Sequence, residues 1–233
     1  MNFIIILFHI SSYKAKVFPY DIQILHTFNS KYANGEVPDS KLSLSMLNDK
    51  RRIICCDGAL QKLLSIDIIP DVVVGDGDSM DNEELLRHRI PYHPDKSEEY
   101  NDLQKALKYC ISNNCGDNIL LMGCGGLRED HFIANLSILA MYSQKWHLAM
   151  LTEHGVFNVM HGKGKFDAFP GMQVSVFARS LQTQLTFTGL KYSVNNRAFK
   201  WLWEGSLNEA LEDEFGVEAS DDEPVVVYRA LQL

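Results

Sequence analysis

The chain has 233 residues, 46% of them hydrophobic and 22% charged, so it is long enough for one large or two modest cores and too apolar to be disordered. Its formal net charge of -8 excludes the basic footprint needed to hold a nucleic-acid backbone. Phosphorylated small molecules remain open, because a bound cation reverses the local sign.

Residues 1–28 are the hardest to read. The apolar run at residues 3–8 is far too short to cross a bilayer and lacks a basic leader, so no membrane span is expected. A first strand or a poorly ordered leader is the plainer reading. Ala33-Asn34-Gly35-Glu36 marks a turn, and Leu42, Leu44, Met46 and Leu47 suggest a short buried helix. Residues 53–56 read as a strand that ends in Asp57-Gly58-Ala59 and a helix through Leu64. A second strand at residues 71–74 is followed by a helix over residues 81–88 and a short strand near residues 90–92. Leu103, Ala106, Leu107 and Cys110 recur at helical spacing and predict an amphipathic helix over residues 97–112. A strand at residues 119–122, a glycine-rich turn at residues 123–126, a helix carrying Phe132, Leu136, Leu139 and Ala140, and a strand at residues 148–151 complete the series. Strands alternating with helices imply an α/β domain with a mostly parallel sheet flanked by helices.

From about Thr152 the pattern changes. Residues 172–177, 184–188 and part of 225–231 alternate apolar and polar, as half-buried antiparallel strands do. Two domains are therefore expected: an α/β domain over residues 1–152 and a smaller all-β, sandwich-like domain over residues 153–233. His161-Gly162-Lys163-Gly164-Lys165 has the wrong spacing for a phosphate loop and reads as a plain loop. The five cysteines, with Cys55 and Cys56 adjacent and no Cys-x-x-Cys pair, indicate reduced buried thiols of a cytoplasmic protein.

Three constellations carry chemistry. The run Val72-Val73-Val74 stops at Gly75-Asp76-Gly77-Asp78-Ser79, which puts two carboxylates at the carboxyl end of a buried strand, where open α/β sheets bind ligands. Carboxylates this close need a cation or a shared proton, and Mg²⁺ bridging to phosphates is the natural partner. The blander alternative is a polar turn in which Asp78 or Ser79 caps the next helix. Glu98, Glu99 and Asp102, on a helical first turn, share a face and extend the acidic surface; they also suit a helix dipole. Gly123, Gly125, Arg128, Asp130 and His131 suit an anion cradle between a strand and a helix, without being a dinucleotide fingerprint or a P-loop. In the β region, Trp201 and Trp203 on one strand face offer an apolar platform or a packing surface.

Taken in order, these motifs resemble the thiamine pyrophosphokinase family. The resemblance rests on Asp57-Gly58, Gly75-Asp76-Gly77-Asp78-Ser79, Glu98 to Asp102, Arg128-Glu129-Asp130-His131, Gly189-Leu190-Lys191-Tyr192 and Ser206-Leu207-Asn208-Glu209, and runs from about Ala33 onward. Asn101 stands where the family has Thr, Glu99 where Asp is common, Leu127 in place of a glycine, and Leu207 splits a Ser-Asn pair.

The resemblance implies Mg²⁺-dependent transfer of diphosphate from ATP to the hydroxyl of thiamine, giving thiamine diphosphate and AMP. It implies Asp76, Asp78 and Asp102 as catalytic residues, with Glu99 joining them as metal ligands. It assigns Asn34, Asp57, Gly58, Gly123, Gly125, Arg128, Asp130 and His131 to ATP, and Glu98, Tyr192, Trp203, Ser206 and Asn208 to thiamine. It further implies a homodimer with the thiamine site between subunits, and neither nucleic acid nor membrane as partner. Two rivals are a nucleotide-sugar glycosyltransferase with an Asp-x-Asp metal site and a non-catalytic nucleotide- or thiamine-sensing module.

Overall fold

The structure is a computed structural model that describes residues 6–9, 52–115, 118–125 and 128–231. Asn34 and the helix expected near residues 42–47 lie outside the described residues. The chain divides into two compact units. Most of the first lies before Leu139 and it takes back Met150–Glu153, while the second holds Leu139–Ala149 and the chain from His154.

In the first unit, β2 (Ile53–Cys56) and β3 (Val72–Gly75) are buried along their whole length, as their continuous apolar runs require. β2 pairs in parallel with β3, and β3 with β4 (Tyr92–Pro94). β1 (Ile6–His9) lies between β2 and β5 (Asn118–Leu121) and is antiparallel to both. The expected mostly parallel sheet is therefore corrected to a mixed one. Strand–helix alternation sets direction only for the strands that helices join, and it carried no information about residues 6–9. Because β1 opposes both neighbours, β2 and β5 point the same way, and the carboxyl ends of β2, β3, β4 and β5 leave one edge.

Helix α1 (Leu60–Leu64) buries Leu60 and Leu63, and α2 (Asn82–His88) is capped by Asp81, whose carboxylate accepts the Glu83 N–H at 2.8 Å. That cap leaves Asp78 and Ser79 out of the capping role. Helix α3 (Asp102–Ser112) buries Leu103, Ala106, Leu107 and Cys110 and packs on β2 and β3. It starts at Asp102 and not at residue 97, because Asn101 is extended and its side chain accepts the Gln104 N–H at 2.9 Å. Asn is among the best N-cap residues, so the helix start is firmly set there. Helix α4 (Glu129–Tyr142) follows the glycine turn and leads to β6 (His147–Leu151). Among the described residues no helix is long and apolar enough to cross a membrane.

The second unit carries two antiparallel arrays. One runs β12 (Asn208–Glu209), β9 (Gln173–Ala178), β14 (Val225–Ala230), β7 (Gly155–Met160). The other runs β11 (Arg197–Ala198), β10 (Gln184–Thr188), β13 (Glu214–Ala219), β8 (Lys163–Asp167). Val174, Val176, Val225 and Val227 of the first share one core with Phe166, Leu185, Phe187, Phe215 and Val217 of the second, which makes a sandwich. Residues 163–165, expected as loop, belong to β8; its Lys-Gly-Lys start hides a strand whose only buried side chain is Phe166. The tryptophans are not on a strand: Leu202–Gly205 is a 3-10 turn, with Trp201 at its start. Glu204 closes it by accepting the N–H groups of Lys200 and Trp201 at 2.9 and 3.1 Å, and Gly205 lies against the Val176 carbonyl, where a Cβ has no room.

Candidate functional site

The site begins where β2 ends. Asp57 is only 2% exposed, and its carboxylate accepts the N–H groups of Gly58 at 2.7 Å and Gly77 at 2.9 Å, tying together the loops that follow β2 and β3. Burial raises its pKa; the two backbone bonds oppose this, and the nearby charges of Asp102 and Asp76 add to it. Gly75 forms the floor beneath it, since a Cβ there would stand 2.8 Å from Asp57 Oδ1 and overlap the rest of the carboxylate. The Gly75 carbonyl accepts from Tyr92 Oη at 3.0 Å and from the Asp95 N–H at 2.7 Å. Gly77 turns with φ 87° under the Tyr92 hydroxyl, a conformation and a space that favour glycine.

Carboxylate oxygens of Asp57, Asp76 and Asp78 gather within 4.8 Å of one another. An all-oxygen, anionic donor set at a strand end fits a hard divalent cation such as Mg²⁺. Asp76 Oδ2 also accepts from Lys105 Nζ at 2.9 Å, and this ammonium lies 3.4 Å from Asp102 Oδ1. The Lys105 hydrogen bond holds the Asp76 carboxyl at about 2. Burial alone would lower Lys105, but Asp76 and Asp102 outweigh it and raise the ammonium above its ordinary value. The Cys56 thiol donates to the Asp102 carbonyl at 3.3 Å, fastening the start of α3 to the end of β2. Asp76, Asp78 and Asp102 thus stand in one neighbourhood, with Asp102 joined through Lys105.

Glu98 and Glu99 are placed differently. Both lie in the bend before α3, with the Glu99 N–H bonded to Ser97 Oγ at 3.3 Å, so they do not share a helical face with Asp102. The assumption of a helix from residue 97 misplaced them. Asp57, expected at the nucleotide, lies beside Asp76 and Asp78. Lys105 and Tyr92 escaped sequence reasoning altogether; a lysine three residues after Asp102, at ion-pair spacing on α3, was the available signal.

The glycine turn leaves the carboxyl end of β5, on the same sheet edge. Gly123 has φ 69°, and Asn135 of α4 donates to the Cys124 carbonyl at 2.9 Å, anchoring the turn to the helix. Arg128 forks onto Asp130, with Nε 2.9 Å from Oδ1, and this guanidinium draws the Asp130 carboxyl down to about 2. His131, half-buried, sits in the first turn of α4. Gly126 and Leu127 lie outside the described residues.

In the second unit Tyr192 and Trp203 are 61% and 72% exposed. Ser206 Oγ donates to the Trp203 carbonyl at 2.7 Å. Asn208 is buried, and its amide is engaged: Oδ1 accepts the N–H groups of Tyr192 at 3.0 Å and Glu209 at 2.9 Å, while Nδ2 donates to the Tyr192 carbonyl at 2.9 Å. Asn208 therefore staples the Lys191-Tyr192 segment to β12, which presents the Tyr192 ring outward. Leu207, the residue that splits the Ser-Asn pair, is exposed and adopts φ 60°.

Comparison with known proteins adds to this geometry. The family model "Thiamin pyrophosphokinase, catalytic domain" matches residues 44–150, and "Thiamin pyrophosphokinase, substrate-binding domain" matches residues 155–228. A search of curated protein sequences gives no match. Among solved structures, thiamine pyrophosphokinase from Bacillus subtilis superposes with a TM-score of 0.69 at 20% identity, covering 82% of this chain and 92% of that one. Thiamin pyrophosphokinase from Candida albicans gives a TM-score of 0.70 at 20% identity, covering 88% and 87%. The yeast enzyme gives 0.69 at 14% identity, covering 86% and 84%. At such identities the structural likeness speaks for the fold, while the two family models speak for the sequence.

Proposed function

The chain belongs to the thiamin pyrophosphokinase family, carrying both its catalytic and its substrate-binding domain, and from that premise we propose that it moves the diphosphate of ATP onto thiamine. The observation that carries this reading is the convergence of Asp57, Asp76 and Asp78, with Lys105 linking Asp76 to Asp102, at one end of the sheet. The nucleotide-sugar alternative is not favoured, because it leaves the β-sandwich and the cation-bridged Asp102 without a role.

In this mechanism the thiamine hydroxyl attacks the β-phosphorus of ATP, the bond to the α-phosphate oxygen breaks, and AMP leaves. Asp57, Asp76 and Asp78 would hold Mg²⁺, which neutralises phosphate charge when bound. Glu99 and Asp102 are proposed to complete the metal's carboxylates once nucleotide is bound. The chain's own part is alignment and electrostatics. The Gly58 and Gly77 amides keep the Asp57 carboxylate turned toward its neighbours, and Lys105 keeps Asp102 beside Asp76. Asp102 or an adjacent carboxylate accepts the hydroxyl proton. Gly123, Gly125, Arg128, Asp130 and His131, with Asn34, Asp57 and Gly58, are proposed to hold the nucleotide. Glu98, Tyr192, Trp203, Ser206 and Asn208 are proposed for thiamine, whose fixed positive charge suits carboxylates and aromatic faces. For Asn208 the proposed part is indirect, through the Tyr192 segment that it holds. A cytoplasmic homodimer, with each chain completing the other's thiamine site, belongs to the same proposal.

The test is incubation with ATP, Mg²⁺ and thiamine, separating products by chromatography. AMP and thiamine diphosphate should appear in equal amounts and vanish with EDTA. ADP with thiamine monophosphate, or no turnover of a folded preparation, would overturn the assignment.

A further inference from the structure

We propose that Lys105 is a positioning residue that serves as a resident cation, so that the nucleotide-free acidic site takes one divalent ion and not two. The inference rests on reading this site as a divalent-cation site, and it concerns the chain before ATP arrives.

The geometry divides the acids into two compartments that share Asp76. One is Asp57, Asp76 and Asp78, whose oxygens gather within 4.8 Å of one another; among the described residues Lys105 reaches this group only through Asp76. The other is Asp76 and Asp102, and it is filled. Lys105 Nζ lies 2.9 Å from Asp76 Oδ2 and 3.4 Å from Asp102 Oδ1. The residue is 4% exposed, so its ammonium is held there by packing as well as charge. It stands on α3 three residues after the aspartate it serves, buried on a side of the helix away from the stripe of Leu103, Leu107 and Cys110.

A lysine ammonium is a compact point charge with several donors, well suited to two carboxylates that approach from different elements. An ion seated between Asp76 and Asp102 would have to evict it, because two cations in that space repel strongly in a partly buried setting. The resident ammonium needs no capture from solution. It keeps Asp102 oriented toward Asp76 in the empty protein, where Asp102 and Asp76 would otherwise repel and let the start of α3 drift from β3.

The test counts bound Mn²⁺ by electron paramagnetic resonance on the full chain, without nucleotide. The wild-type chain should bind one Mn²⁺. Lys105→Met, which keeps most of the stem and removes the charge, should bind two, while Lys105→Arg should bind one. Two Mn²⁺ of similar affinity on the wild type, or one on Lys105→Met at unchanged affinity, would overturn the proposal. If Lys105→Met shows no cooperative thermal transition, Asp102→Asn decides. It should retain its single Mn²⁺ at close to wild-type affinity, and a loss of about tenfold or more, the scale of a lost ligand or direct support, would overturn the division into compartments. Absence of AMP formation from ATP and thiamine, with the single-ion count intact, would refute the reaction assigned above and leave the role of Lys105 standing.

Discussion

Gly75→Ala tests the floor of the site most sharply. In a strand, replacing glycine with alanine ordinarily stabilises by about 0.5–1 kcal/mol through the unfolded chain, so a large loss here has one source. The new Cβ would stand 2.8 Å from Asp57 Oδ1 and closer still to the other carboxylate atoms. The backbone cannot retreat, because the Gly75 carbonyl is held by Tyr92 Oη at 3.0 Å and the Asp95 N–H at 2.7 Å. Asp57 must swing out and give up its bonds from the Gly58 and Gly77 amides. Bonds to charged groups are worth roughly 1.5–3 kcal/mol each and overpacking costs roughly 1–3 kcal/mol; rehydration of the displaced carboxylate returns part of this, leaving a net loss of about 2–4 kcal/mol. Urea denaturation in EDTA measures the loss, and Mn²⁺ titration should show weaker binding, because one of the three gathered carboxylates has moved. Stability within about 0.5 kcal/mol of the parent, the usual range of a neutral substitution, with unchanged Mn²⁺ affinity would refute the packing of Asp57 on Gly75.

Other outcomes follow from the same site and from the sandwich. Asp78→Ala and Asp102→Ala should each cut thiamine diphosphate formation by about 10²–10³-fold with the thermal transition retained; wild-type rates from either folded variant remove that residue from the mechanism. Asp76 is held at about 2 against an ordinary 3.8, chiefly by Lys105, so its contribution to stability is complete above the ordinary value and fades as pH falls toward 2. Its side chain is 37% exposed, so the effect is modest, and it should appear as an acid limb in the metal-free unfolding profile that Lys105→Met flattens. An identical limb in both proteins counts against the pair. Asn208→Ala strips three hydrogen bonds from a buried amide and should cost roughly 2–4 kcal/mol by chemical denaturation, with a higher KM for thiamine and little change for ATP. Equal changes in both KM values would mean that the loss is global.

The residues legible from sequence were those whose chemistry interrupts a pattern. Asp76 and Asp78 stop a β-branched run, and the glycines at residues 123 and 125 stop an apolar one, so both announced a strand end. Lys105 was hidden because it falls opposite the apolar stripe of Leu103, Ala106, Leu107 and Cys110, where a lysine reads as solvated, and only the fold shows that this one is buried. The Glu98–Asp102 face failed for a local reason: Asn101 could be read as an interior helical residue, yet as a cap it ends the extended segment and leaves both glutamates outside the coil. Tryptophans spaced by one residue look alike on a strand and in a 3-10 turn until Glu204 is seen to close the turn. The direction of β1 depended on pairing with strands distant in the chain, which local pattern does not encode.

That pairing has a practical bearing on how the protein is trimmed for expression. The catalytic family model begins at residue 44, and a vector cut at that boundary would discard Ile6–His9. The shortened product would lose the middle of its first sheet and not a dispensable tail. β2 and β5 would each be left with a naked row of amide and carbonyl groups facing an open slot, a template for joining another molecule. Insolubility of such a fragment would reflect a missing slat and say nothing of the catalytic residues it still contains.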